Sequence, residues 1–260
     1  MLTSPISSFF CPTRIHLGIG AHTQLASVLQ GYDCQRLFIA LDRALQGGDF
    51  YQRIEAILAE QNIATAVFTD IEADPSDTTV ERAFAVCRAH NATAILAVGG
   101  GSTMDVAKAV GILATNGGRI HDYEGIEKFS KPPLPLIAIP TTAGTGSEVS
   151  GSCVISDTTR HLKMSIRHAA LNPAAVAILD PLALVTMPGH VAAHSGLDAF
   201  VHAFEAYISR QSNLVSDALS LQAVELIAAN IRPFVADRSN LGAGLNMRVG
   251  SALAGIVFGQ

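Results

Sequence analysis

Short apolar runs alternate with amphipathic stretches through the first two-thirds of the chain. Residues 36–42 (RLFIALD), 65–70 (TAVFTD), 93–101 (TAILAVGGG) and 133–142 (PLPLIAIPTT) are compact apolar runs bounded by turn residues, the signature of buried strands. Between them, residues 49–62, 74–90 and 102–116 repeat their apolar positions with helical period. Asp74-Pro75 opens the second of these, with Ser76 or Asp77 as its N-cap. Continuous apolar strands separated by helices predict a parallel sheet covered on both faces. Ligands of such sheets sit at the C-terminal ends of the strands.

From about Asp180 the strand pattern stops. Residues 187–211, 213–237 and 244–260 all read as helices, although Pro188-Gly189 and Ser195-Gly196 predict breaks in the first. The expected architecture is an α/β domain with a parallel sheet over residues 1–183, followed by an all-helical segment over residues 184–260.

Charge and composition narrow the function classes. A net charge of -5 with no basic run argues against a nucleic-acid surface. No apolar run reaches membrane-spanning length without a charge or a turn, so no membrane segment is expected. The N-terminal residues 1–18 lack the basic start and apolar centre of a signal peptide. The four cysteines, Cys11, Cys34, Cys87 and Cys153, form no CxxC pair. They read as small buried hydrophobes in a reducing cytoplasm.

Three strand ends carry candidate chemistry. Gly99, Gly100, Gly101 and Ser102 join a strand to a helix. Glycines there let backbone approach an anion, and the helix start offers free N–H groups and a positive dipole end, suited to a pyrophosphate. Ser102 reads as a helix cap or a phosphate donor. A tight turn that simply needs glycine is the competing reading, and Met104 occupies the third-glycine place of the G-x-G-x-x-G fingerprint. The loop at residues 139–148 (IPTTAGTGSE) gathers Thr141, Thr142, Thr145 and Ser147, more hydroxyls than a turn requires. Asp42 ends the first clear strand, where a carboxylate accepts ribose hydroxyls and repels a 2′-phosphate; a helix cap is its alternative role.

Residues 196–207 (GLDAFVHAFEAY) place Asp198 four residues before His202 on one helical face. Asp with His suits a divalent transition metal, iron or zinc alike, but two donors are fewer than the three or four a site needs. His190 and His194 repeat the same spacing upstream, and Glu205 lies three residues beyond His202.

Together, GGGSTMDVAKAV, IPTTAGTGSEVS, LDPLALVTMPG and GLDAFVHAFEAYIS resemble, in order and spacing, the iron-containing (group III) alcohol dehydrogenases. The resemblance runs over nearly the whole chain. It implies an α/β dinucleotide-binding domain over residues 1–183 and an incomplete all-helical metal-binding domain over residues 184–260, with the active site in the cleft between. The implied reaction is hydride transfer between an alcohol or aldehyde substrate and NAD, or NADP, assisted by Fe(II) or Zn(II). By the same resemblance Asp42 meets the adenosine ribose and residues 99–102 meet the pyrophosphate. Thr141, Thr142 and Thr145 meet the cofactor, Val154 and Lys163 line its nicotinamide end, and Asp198 and His202 are metal ligands. Homo-oligomers are common in the family.

Two departures stand out. Asp74 replaces an asparagine that many members carry before the proline. The family also supplies two more histidine ligands in a segment beyond AGIVFG, which ends at Gly259. The resemblance therefore predicts a C-terminally truncated member. The alternative expectation is a nucleotide-binding fragment without catalysis.

Overall fold

A computed structural model describes residues 6–258. The first five residues, part of the segment read as lacking signal-peptide character, and residues 259–260 lie outside it. The core is a six-stranded, all-parallel sheet in the order β1-β9-β6-β4-β2-β3. These strands are β1 (Arg14–Leu17), β2 (Arg36–Leu41), β3 (Ala64–Phe68), β4 (Ala94–Gly99), β6 (Leu136–Pro140) and β9 (Val176–Leu179). The chain runs outward from β2 to β3, then crosses back to place β4 on the other side of β2. The ends of β2 and β4 therefore flank the point where strand order reverses.

Alternate side chains of these strands feed two cores. Leu37, Ile39, Leu41, Leu96, Val98, Ile137 and Ile139 pack under α1 (Leu25–Gly31) and α2 (Asp49–Glu60). Phe38, Ala40, Ile95, Ala97 and Ala138 pack under α3 (Asp77–His90) and α4 (Gly101–Asn116). Burial on both faces explains why β2, β4 and β6 read as unbroken apolar runs. Ser76 caps α3 by accepting from the Thr79 N–H at 3.2 Å, as its sequence position suggested.

A second, three-stranded sheet was not legible in the sequence. It orders β5 (Gly125–Ile126), β8 (Leu162–Arg167) and β7 (Ser152–Asp157), with β7 and β8 antiparallel. Only alternate residues of β7 are buried, so its apolar content is half that of a central strand.

The last third is helical: α5 (Gly189–Ile208), α6 (Leu214–Ala236) and α7 (Leu241–Phe258). α5 runs unbroken through Ser195-Gly196, against the expected interruption. Packing selects Gly196: a Cβ there would lie 2.9 Å from Ile231 Cδ1 and from Met247 Cε, so its absence lets α6 and α7 approach α5. α7 also rests on the main sheet, where Ala252 and Ile256 pack with Val149, Ala177 and Leu179. By length and composition α6 and α7 are each apolar enough to cross a bilayer. Yet α7 is largely buried against its neighbours and encloses Arg248, as a core helix does. All four cysteines are free thiols, and three of them are buried.

Candidate functional site

The glycine turn and the hydroxyl loop meet at the C-terminal ends of β4 and β6. The Thr141 N–H donates to the Gly99 carbonyl at 2.9 Å. A Cβ on Gly100 would lie 3.2 Å from Thr142 Cγ2, and one on Gly101 would lie 2.9 Å from Thr145 Cγ2. The threonines thus press on bare backbone, tightly at Gly100 and below normal contact distance at Gly101. Gly100, not Ser102, holds the N-cap position of α4, and no side chain caps this helix. Its first N–H groups stay available to an anion.

Asp42 stands at the end of β2, with its N–H bonded to the Val98 carbonyl of β4 at 2.9 Å. Its Oδ1 caps a short helix by accepting from the Ala44 N–H at 3.0 Å. Among the described residues Oδ2 has no hydrogen bond. The capping role and a ribose-binding role are therefore compatible.

Val154 and Lys163 lie on one face of the β7–β8 ribbon, where Ser156 pairs with Lys163 and Val154 with Ser165. Lys163 Nζ pairs with Asp74 Oδ1 at 2.7 Å on the surface. The residue that departs from the family pattern therefore engages one of the expected cofactor contacts. The Val154 N–H donates to Asp105 Oδ2 at 3.0 Å.

Beneath the loop runs a charged network that the sequence reading missed. Lys108 Nζ donates to Ser147 Oγ at 3.1 Å and to the carbonyls of Ser150 and Ser152 at 2.9 and 2.7 Å. Ser147 Oγ donates to Asp105 Oδ1 at 2.9 Å. Burial pushes the Asp105 carboxyl up to about 6, against the opposing pull of Lys108, the Val154 N–H and the Ser147 hydroxyl. Burial likewise lowers Lys108, with Asp105 opposing. On the far side of the loop, fully buried Arg248 donates from Nη1 to the Thr142 carbonyl at 2.6 Å. Burial brings it down to about 10, against the carboxylates of Glu148 and Asp180. Burial raises buried Glu148, and Arg248 opposes. The available signal was a charge inside an apolar helical pattern, at Lys108 and at Arg248.

The loop also touches α5. A Cβ on Gly144 would lie 2.6 Å from Ser195 Cβ, one helical turn before Asp198. His202 Nε2 stands 3.6 Å from Asp198 Oδ1, beyond hydrogen-bond reach. Two metal–ligand bonds of about 2.1 Å can span that gap. His202 Nδ1 is buried without a hydrogen-bond partner, and the ring lies 4.3 Å from that of Phe258. The pair fits a divalent metal in donor type and spacing, as half a ligand set. His190 and His194 lie on the exposed side of α5 with ring centroids 6.3 Å apart. No third donor joins Asp198 and His202 among the described residues. The only such triplet there is Asp77, His121 and Asp157, elsewhere on the molecule, where Arg160 already pairs with Asp157.

The same segments fit a known family. Residues 12–181 match the model for iron-containing alcohol dehydrogenase, and residues 192–260 match the C-terminal model of that family. The chain belongs to the iron-containing alcohol dehydrogenase family. It is 35% identical to NAD-dependent methanol dehydrogenase of Bacillus methanolicus, over 97% of this chain and 66% of that protein. It is 40% identical to 1,3-propanediol dehydrogenase of Klebsiella pneumoniae, over 98% of this chain and 64% of that protein. A crystal structure of 1,3-propanediol oxidoreductase superposes with a TM-score of 0.94 at 36% identity, covering 98% of this chain and 66% of that one. The chain thus spans slightly under two thirds of the length of these family members.

Proposed function

We propose that this chain carries the cofactor site and half the metal site of an alcohol dehydrogenase. The reaction is reversible hydride transfer from the carbinol carbon of a small alcohol to the nicotinamide of NAD. It yields an aldehyde or ketone, NADH and a proton. One observation carries the reading. The loop at residues 141–148 packs against the Gly99–Gly101 turn on one side and against Ser195 on the other, one turn from Asp198. Cofactor and metal elements are thereby joined by one short segment.

In this reading residues 1–183 bind the dinucleotide and residues 184–260 begin the metal-binding domain. The backbone N–H groups at the start of α4 hold the pyrophosphate, and Gly100 and Gly101 let it approach. Thr141, Thr142 and Thr145 orient the cofactor by their hydroxyls. Asp42 Oδ2 accepts the adenosine ribose hydroxyls and repels a 2′-phosphate, which favours NAD over NADP. Val154 and Lys163 flank the nicotinamide end. Asp198 and His202 hold Fe(II) or Zn(II), which when bound polarises the substrate oxygen as a Lewis acid. The substrate enters from solvent, with neither nucleic acid nor membrane involved, in a cytoplasmic protein that self-associates.

Nucleotide binding without hydride transfer is the second reading. Among the described residues no third donor joins Asp198 and His202, which favours it. Two measurements separate the readings: NADH binding by fluorescence titration, and metal content after anaerobic Fe(II) reconstitution and desalting. NADH binding with about one metal per chain, lost in Asp198→Ala, supports the dehydrogenase. NADH binding without retained metal supports the second reading. Absence of NADH binding overturns both.

A further inference from the structure

We propose that Arg248 is a positioning residue for cofactor binding: from α7 it fixes the Thr142 peptide, and with it the hydroxyl loop that closes on the glycine turn. The proposal rests on the cofactor reading above.

Arg248 is the largest fully buried side chain of the molecule among the described residues, yet it is bonded sparsely. Nη1 donates to the Thr142 carbonyl at 2.6 Å, while Nε and Nη2 are buried without hydrogen-bond partners. Enclosing a guanidinium costs far more than enclosing an apolar side chain of the same volume. An apolar side chain of similar length, such as methionine, would avoid that cost. What arginine adds is a directed, charged donor to one carbonyl.

That carbonyl sits at a sensitive point. The Thr142 side chain lies on Gly100, and the neighbouring Thr141 N–H is bonded to Gly99. Rotation of the Thr142 peptide would move both threonine hydroxyls relative to the turn. The far end of the loop answers the same cation: the Glu148 carboxylate opposes the loss of charge on Arg248, and its Oε1 has no hydrogen-bond partner. Two helical turns along the same face of α7, Gly255 meets the loop backbone at Gly146. α7 therefore holds the loop near both ends, through one charged bond and one backbone contact.

The test is affinity for two probes, NADH by fluorescence and AMP by calorimetry. AMP reaches Asp42 but not the nicotinamide side of the loop. The variants are Arg248→Lys, Arg248→Met and the double variant Glu148→Gln/Arg248→Met. The double variant removes the Glu148 carboxylate that loss of Arg248 would strand, while Asp180 keeps His22 and three backbone N–H donors, so it tests the idea even where Arg248→Met fails to fold. Near-ultraviolet circular dichroism checks the fold of each. In folded Met-containing variants, NADH affinity should fall about tenfold or more and AMP affinity stay within about twofold, with Arg248→Lys in between. A folded variant that binds NADH as the parent does overturns the proposal. So does an equal loss for both probes, which marks a general structural role. Failure of the parent chain to bind NADH overturns the cofactor reading itself, and the proposal with it.

Discussion

The backbones of Gly146 and Gly255 touch. A Cβ built on Gly255 would lie 2.6 Å from the Gly146 carbonyl oxygen, and one on Gly146 would lie 2.6 Å from Gly255 Cα. Neither clash can be relieved by turning a side chain, because both partners are main chain. Gly146 also has φ +59°, a region that L side chains avoid. Gly255→Ala should therefore cost about 1–3 kcal/mol by overpacking, in spite of the better helix propensity of alanine. Gly146→Ala should cost at least as much, since φ strain adds to the clash. Urea unfolding measures both, and a Gly255→Ala midpoint at or above that of the parent would contradict the contact.

A second close approach is reversible by design. On Gly101 the obstacle is the Thr145 side chain, with Cγ2 at 2.9 Å and Oγ1 at 3.2 Å from the position of a Cβ. Gly101→Ala should lose about 1–2 kcal/mol of stability and weaken NADH binding by about tenfold. Adding Thr145→Ala clears both atoms. The double variant should regain most of the stability but little of the NADH affinity, because the hydroxyl does not return. Recovery of both would mean that Thr145 contributes only shape.

Asp42 tests the choice between NAD and NADP. One oxygen caps the Arg43–Leu45 turn through the Ala44 N–H, so removal of the carboxylate has a structural cost of about 1 kcal/mol. Asp42→Ser keeps a capping oxygen and removes the charge. NADPH affinity relative to NADH should rise about tenfold in this variant, read by fluorescence titration of both cofactors. An unchanged ratio would remove Asp42 from the ribose site.

Much of the main sheet was readable from residues 36–142, because strands buried on both faces announce themselves as apolar runs, and the glycines after β4 single out one strand end as the candidate site. The remainder failed for identifiable reasons. β1 has only four residues, at a sheet edge with two of them exposed, so Arg14 and Leu17 give no apolar run. β9 is apolar throughout but too short for periodicity to distinguish it from a helix. In β7 the buried Cys153, Ile155 and Asp157 alternate with half-buried residues, and one of the buried three is charged. At Ser195-Gly196 local chemistry argued for a break, whereas the approach of Ile231 and Met247 made glycine the residue that fits an unbroken helix. The buried ions are the clearest case. Lys108 and Arg248 gain a role only where the fold brings Ser147, Glu148 and Thr142 to them from distant sequence positions.

The Asp105–Lys108 network gives the chain a pH signature of definite sign. Burial raises the Asp105 carboxyl from 3.8 to about 6, so the folded state binds this proton more tightly than the unfolded chain does. Between about pH 4 and 6 the native state holds more protons at this position. Its contribution to stability therefore falls as pH rises through that window, with a slope of at most about 1.4 kcal/mol per pH unit, and is level above it. Carboxylates held low elsewhere act in the opposite sense at more acid pH: Asp157, brought down to about 2 chiefly by the Arg160 backbone N–H and side chain, loses its contribution only as pH drops toward 2. Asp105→Asn keeps the shape and cannot titrate. Urea unfolding of the parent and of Asp105→Asn at half-unit steps from pH 4 to pH 7 isolates the group as the difference between the two curves. The parent should lose stability relative to Asp105→Asn as pH climbs from 4 to 6, and the gap should then stay constant. A parent that holds or gains stability relative to Asp105→Asn over that range would mean that the Lys108 ammonium and the Val154 N–H outweigh burial and hold the carboxylate charged.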